Sequence, residues 1–247
     1  MNASVSRLSR AALVAIIATA SSLLAEDLVV QKDLQRREGE ILGIAGGKLR
    51  IKIGPAETSL PLEQVASVVK APPKAYDEAL NAWQDGNANK ALSLLKPIVD
   101  TFRGLPTDWA ERSSALLGDT YLSLDQLPAA EAAFAEFAKA YPGSKSRSDI
   151  SLARLAVSHQ DFAGAKTRLT PIVAEAESAV TAGAGKRAIY GQAFYLMGIV
   201  HENEGAYPEA LRHYLSAVTL FHDDKAVVVK AQERAEFLIK EKQIIVP

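Results

Sequence analysis

The chain has no cysteine, which excludes a disulfide framework, a thiolate nucleophile and a lipid-modified cysteine behind an export signal. It also lacks an excess of either charge. With 28 basic and 29 acidic residues the formal net charge is −1, so there is no general attraction for nucleic acid or anionic lipid, which are met by clustered Lys and Arg. There is no Gly-x-Ser-x-Gly, no phosphate loop and no dinucleotide fingerprint, and therefore no catalytic or cofactor-binding residue to assign. What is present is ordinary. The 247 residues are 48% hydrophobic and 23% charged, enough for a sizeable core in one or two ordered domains.

The four histidines invite a metal reading, because His201-Glu202 begins like a zinc protease motif. The second ligand would have to stand at position 205, which is Gly205. Without that partner one turn on, His201 reads as a structural histidine, and no metal ligand is assigned.

Residues 1–25 read as a secretory signal: Arg7 and Arg10 precede the apolar run Ala11 to Ala20, which continues through Ser21 and Ser22 to Ala25. Cleavage is expected after Ala20 or Ala25. An uncleaved anchor is the alternative, but the run is shorter than the roughly 20 residues that span a bilayer. The expected location is periplasmic or secreted, with membrane contact only through the signal. A chain beginning at Glu26 would have a net charge of −3.

Residues 26–71 alternate with period two, which predicts strands over Leu28–Gln31, Glu38–Ala45, Lys48–Gly54, Thr58–Leu60 and Val65–Lys70. Leu49, Ile51 and Ile53 are expected to face a core, with Lys48, Arg50 and Lys52 in water. Ala45-Gly46-Gly47 supplies a tight turn that tolerates positive φ. Five short strands resemble a small Sm-like or SH3-like β-barrel, and an Sm-like barrel would imply RNA binding through the three basic residues. Against that, residues 26–73 contain 7 basic and 7 acidic residues and no aromatic for base stacking, so no nucleic-acid partner is expected. Ala71-Pro72-Pro73 closes the segment, and residues 72–247 form the second unit.

That unit is organised around the stretch from Leu117 to Pro142, where Gly118, Tyr121, Ala130, Phe134 and Pro142 have the spacing of a helical hairpin built for stacking. The same register recurs at Gly198, followed by Gly205, Ala210, Tyr214 and Ala217. It recurs in weaker form at Ala79, with Gly86, Ala91 and Leu95, and at Ala153, with Ala165 and Leu169. Small residues at these sites let helices approach while large ones fill the remaining space. Pro128 and Pro208 open second helices at their first turn; Pro97 and Pro171 are expected to kink theirs. The third interval is longer than the others, which predicts a third hairpin with both helices extended and a loop at Thr181–Lys186. A helix from Lys225 to Lys242, burying Val228, Ala231, Ala235 and Leu238, is expected to cap the array.

Ala75 to His222 resembles a four-unit tetratricopeptide (TPR) array, with the second and fourth units the best matches. The fold class expected is mainly α: an α-solenoid of about four helical hairpins and a capping helix behind a small N-terminal β-barrel. The layout is similar to that of exported TPR proteins of bacterial envelope systems, including Tol-Pal-associated coordinators and outer-membrane assembly lipoproteins. It departs from the lipoproteins in having no cysteine, and from the coordinators in having a β segment where they carry a coiled coil.

The resemblance implies binding of a protein or peptide in a concave groove lined by the first helix of each unit. It places Tyr76, Leu80 and Trp83 there from the first unit, and Arg112, Asp119 and Leu122 from the second. The third gives Arg147, Ile150 and Arg154; the fourth gives Gln192, Tyr195, Ile199 and Glu202. Trp83 is either a groove anchor or packed on the β segment. The three arginines either clamp a carboxylate or pair with neighbouring acids. The expected function is that of a non-enzymatic exported adaptor or scaffold. The alternative is a structural envelope protein whose repeats mediate homo-oligomerisation.

Overall fold

The computed structural model describes residues 26–245; the expected export signal over residues 1–25 lies outside them. Alternating apolar residues fold the first segment into five antiparallel strands, β1 (Asp27–Gln31), β2 (Arg36–Ala45), β3 (Lys48–Ile53), β4 (Ala56–Pro61) and β5 (Val65–Val69). They are ordered β4-β3-β2-β1-β5, with a single 3-10 turn, Leu62–Gln64, between β4 and β5. Gly46 and Gly47 link β2 to β3 at φ 55° and 72°, values at which a β-carbon is strained. Leu49 and Ile51 are fully buried, but Ile53 is 37% exposed. It ends β3 at the Gly54 turn, beyond the reach of the opposite layer, which corrects its expected place in the core.

The sheet has no core of its own. Val29, Ile41, Leu49, Ile51, Leu60 and Val65 bury together with Tyr76, Ile98 and Trp109 from the helices that follow and with Leu105 from a connection between two of them. Gly43 makes this approach possible: its φ is 140°, and a β-carbon there would stand 2.6 Å from the Thr101 carbonyl oxygen. Trp109 locks the junction, with its indole N–H donating to the Lys70 carbonyl at 2.9 Å and its ring edge-on to Tyr76 and Phe102. Lys70 is itself paired with Asp27 at 2.7 Å, both largely shielded from water.

Nine helices follow among the described residues: α1 (Lys74–Gln84), α2 (Ala88–Phe102), α3 (Asp108–Ser123), α4 (Leu127–Ala140), α5 (Lys145–Ser158), α6 (Phe162–Ser178), α7 (Ala184–Asn203), α8 (Tyr207–Thr219) and α9 (Lys225–Glu241). The first eight form four hairpins built to one rule. Each first helix carries a buried small residue: Ala79, Gly118, Ala153 or Gly198. Seven positions on, Gly86, Asp125, Gln160 and Gly205 turn the chain with φ between 55° and 75°. The next residue's N–H closes a bond back to the carbonyl five residues earlier: Asn87 to Ala82, Gln126 to Tyr121, Asp161 to Ala156 and Ala206 to His201, at 2.8–2.9 Å. This is the left-handed helix stop that satisfies otherwise orphaned carbonyls. In the second helices Ala91, Ala130, Ala165 and Ala210 are fully buried, and one turn later so are Leu95, Phe134, Leu169 and Tyr214.

The two glycines are steric necessities. A β-carbon on Gly118 would lie 2.2 Å from Phe134 Cε1, and one on Gly198 would lie 2.4 Å from Tyr214 Cε1. Both α2 and α6 continue through Pro97 and Pro171. The added length of the third interval does not go into both helices of its hairpin, as α5 has only 14 residues. It goes into α6, a loop over 179–183, and the start of the 20-residue α7, in which Ala184 and Gly185 are already helical.

The C-terminal helix buries Val227, Ala231, Ala235 and Leu238, with Val228 only half-buried. Val227 stands one turn before Ala231, on the stripe that faces α7 and α8. Glu202 of α7 ties this end together: it accepts from the Tyr214 hydroxyl at 2.8 Å and from Arg234 Nε at 3.1 Å.

Candidate functional site

The first helices α1, α3, α5 and α7 lie side by side in that order, and their inner faces bound two adjoining hollows of about 240 and 300 Å³. Trp83, Leu116, Asp119, Gln192 and Asp224 border both, forming a waist between them. Of the residues expected in the groove, Leu80, Arg112, Arg147 and Ile150 line the first hollow, and Leu122, Arg154 and Tyr195 the second. Trp83, Asp119 and Gln192 line both.

Three expected groove residues sit elsewhere. Tyr76 is buried in the core between sheet and helices, where it meets Trp109; Trp109, not Trp83, is the tryptophan that packs against the β segment. Ile199 packs into the core of α5–α9. Glu202 is consumed by Tyr214 and Arg234. Each is turned toward a neighbouring element instead: Tyr76 toward the sheet and α3, Ile199 into the core of α5–α9, and Glu202 toward α8 and α9.

The arginines are largely paired. Arg147 reaches from α5 to α3, 2.8 Å from Glu111 and 3.3 Å from Asp108. Arg154 pairs with Asp119, their side chains only 17% and 12% exposed. Burial works against the charge on Arg154, but Asp119 opposes it by charge and hydrogen bond, with Asp224 and Tyr195 adding weakly, so its pKa ends above the ordinary guanidinium value. Burial likewise raises the Tyr195 phenol, with Arg154 and Arg234 pulling the other way, and keeps it a neutral donor. Arg112 is held more loosely: its nearest carboxylate is Asp108, at 4.0 Å.

The wall that sequence reasoning missed is the start of α9. Asp224 caps the helix by accepting from Val227 N and accepts a second bond, at 2.7 Å, from the Gln192 side chain. Ala226, Val227 and Lys230 then line the second hollow. Lys230 Nζ lies 6.0 Å from the centre of the Trp83 ring, so the last helix meets the first across the mouth. Asp223-Asp224 ahead of an apolar stripe marks a helix start, but nothing local in the sequence says that this start overhangs Trp83.

No protein-family model and no curated protein matches the chain. The two adjoining hollows make one concavity. Its lining combines apolar surface from Trp83, Leu80, Leu122, Ile150 and Tyr195 with two cations, Arg112 and Lys230, that have no carboxylate within hydrogen-bonding distance among the described residues. One oxygen of Asp119, Oδ1, is buried without a hydrogen-bond partner among the described residues.

His201, set aside as a ligand, stacks on His213 with ring centres 5.0 Å apart and lies 3.1 Å from Glu204. It is part of the contact between α7 and α8.

Proposed function

We propose that the chain is an exported scaffold of the TPR type that binds a short stretch of a partner protein in the concavity between its first helices. The observation that carries this reading is the fourfold recurrence of one hairpin rule, with small residue, left-handed stop, buried alanine and large residue at fixed intervals, on helices whose inner faces share a hollow. Hairpins that cannot bury their faces alone do so by stacking, and stacking generates an extended concave surface. Trp83 and Tyr195 supply rigid aromatic area. Arg112 and Lys230 supply the charged groups that an acidic side chain or a carboxylate of the partner would satisfy.

The five strands are read as a small SH3-like barrel, on the strength of their order and the 3-10 turn between β4 and β5. Because it shares a core with α1–α3, its role is to hold the first hairpin in place and offer a second contact surface. The periplasmic or secreted location rests on the signal-like composition of residues 1–25. No catalytic role is proposed.

A photo-crosslinking amino acid at Leu122, inside the concavity, and at Ser93, exposed on α2, tests the reading in intact cells. Adducts to a discrete partner from Leu122 alone, reduced by Trp83→Ala with Tyr195→Ala, are the expected result. Equal adducts from both positions, or adducts only to a second copy of the chain, would overturn it, the latter in favour of self-assembly.

A further inference from the structure

The buried apolar residues divide into clusters that never combine the two halves of the helical array. One cluster runs from Ile150 to Leu238 and draws only on α5–α9. Three smaller clusters lie between Val29 and Tyr141 and interlock by sharing helices: Tyr76 and Ala79 both stand on α1, Ile98 and Val99 on α2, and Trp109, Ala115 and Leu117 on α3. The partly buried apolar residues packed against each cluster respect the same division.

Across the seam the named contacts are polar. Arg147 meets Asp108 and Glu111, Arg154 meets Asp119, His159 Nε2 lies 3.0 Å from Glu131, and Lys230 sits over Trp83. The covalent link is short. Tyr141 belongs to the first half, its hydroxyl accepting from Gly104 N at 2.9 Å and its ring against Phe137, while Pro142 and Gly143 are exposed.

Contiguous apolar burial makes a region unfold and move as one unit. Ion pairs gain little net free energy once desolvation is counted, and they hold only while their geometry holds. A seam of ion pairs between one large apolar cluster and three that interlock through shared helices is therefore the weakest internal joint of the array.

We infer that α1–α4 with the sheet and α5–α9 are two rigid halves joined by an ionic clasp, and that the concavity opens by rotation about residues 142–144. The walls of the concavity divide along the same line: Trp83, Leu116 and Asp119 move with one half, and Arg154, Gln192 and Lys230 with the other. Breaking the Arg154–Asp119 pair widens the waist, and a hinge of three connecting residues, of which Pro142 and Gly143 are exposed and Ser144 half-buried, is enough to absorb the rotation. The meaning of this motion for a partner rests on the reading of the concavity as the binding surface; the hinge itself does not.

The absence of native cysteine allows a direct test on the partner-free chain, so that its failure leaves the binding reading standing. Ser151, buried at 3% exposure on α5, lines the first hollow. Ser114, buried at 2% on α3, returns its hydroxyl to the Ala110 carbonyl inside the first half. Thiol labelling rates of Ser151→Cys and Ser114→Cys are compared with and without Asp119→Asn/Arg154→Gln. The expected result is about a tenfold faster reaction at position 151, equivalent to about 1.4 kcal/mol of easier opening, and no change at position 114. Acceleration at both positions, which signals whole-chain unfolding, or at neither, overturns the hinge. Solution scattering of the cysteine-free charge variant is the second readout. A larger radius of gyration at unchanged far-UV helicity supports the clasp, and an unchanged radius overturns it.

Discussion

The α1–α2 and α5–α6 hairpins place alanine against leucine at the helix contact, whereas α3–α4 and α7–α8 place glycine against an aromatic ring. The second helices also start differently. Asn87 and Asp161 cap α2 and α6 by accepting from backbone N–H groups at 3.1 and 2.9 Å. Pro128 and Pro208 instead stand in the first turn of α4 and α8, whose preceding residues make no side-chain cap. Both kinds make the same left-handed stop. Hairpin geometry is thus conserved in volume and hydrogen bonding, not in residue identity: one methyl removed from the first helix is matched by a ring added on the second.

The largest effect should come from breaking that compensation. Gly118→Leu should cost about 3 kcal/mol in urea denaturation, because even a β-carbon there would lie 2.2 Å from Phe134. Pairing Gly118→Ala with Phe134→Leu rewrites this hairpin as one of the other kind and should be more stable than Gly118→Ala alone. A double variant no better than the single would refute the volume rule.

Acid should separate the two glycine hairpins from each other. His213 of α8 is 3% exposed, and burial pulls its pKa from 6.5 down to about 4; the equivalent position in α4 is Ala133. The folded state keeps this imidazole neutral, while the unfolded chain binds its proton near pH 6.5. The stability it contributes is present above pH 6.5 and lost as pH falls toward 4, about 3 kcal/mol in all. Urea midpoints measured from pH 7 to pH 4 should fall less steeply in His213→Phe than in the native chain.

Smaller effects concern the stops. Gly205→Ala, at φ 75°, should cost about 1 kcal/mol, whereas Gln160→Gly, at φ 61°, should gain several tenths to about 1 kcal/mol. The sign change between two hairpins with the same turn is the feature to check by thermal melting.

The smallest concerns the caps. Asn87→Ala should cost about 1 kcal/mol, while Gln126→Ala, at the equivalent position ahead of Pro128, should change stability by only a few tenths. Equal costs would show that both kinds of hairpin rely on the same cap.

The strands, the hairpin register and most of the concave lining are legible in the sequence, because each follows from a short period. Leu49 and Ile51 alternate, Gly118 and Phe134 recur as Gly198 and Tyr214, and Leu80 to Tyr195 follow from counting along first helices. The count puts Tyr76, Ile199 and Glu202 in the groove because it fixes a helical face but not which neighbour covers it. Trp109 and Tyr76 meet the sheet, and no local pattern encodes that contact. Lys230 escapes such a count for the same reason, since it stands on α9 and Trp83 on α1.

By itself the sequence determines the local units, since turn chemistry, helix stops and small-to-large pairing act over a few residues to about 16 positions. Tertiary structure alone decides that the sheet shares its core with the first helices, that α9 reaches the mouth beside Trp83, and that the apolar clusters of α1–α4 and of α5–α9 meet across ion pairs. These are contacts between residues far apart in the chain, and they depend on the accumulated angle of every hairpin between them.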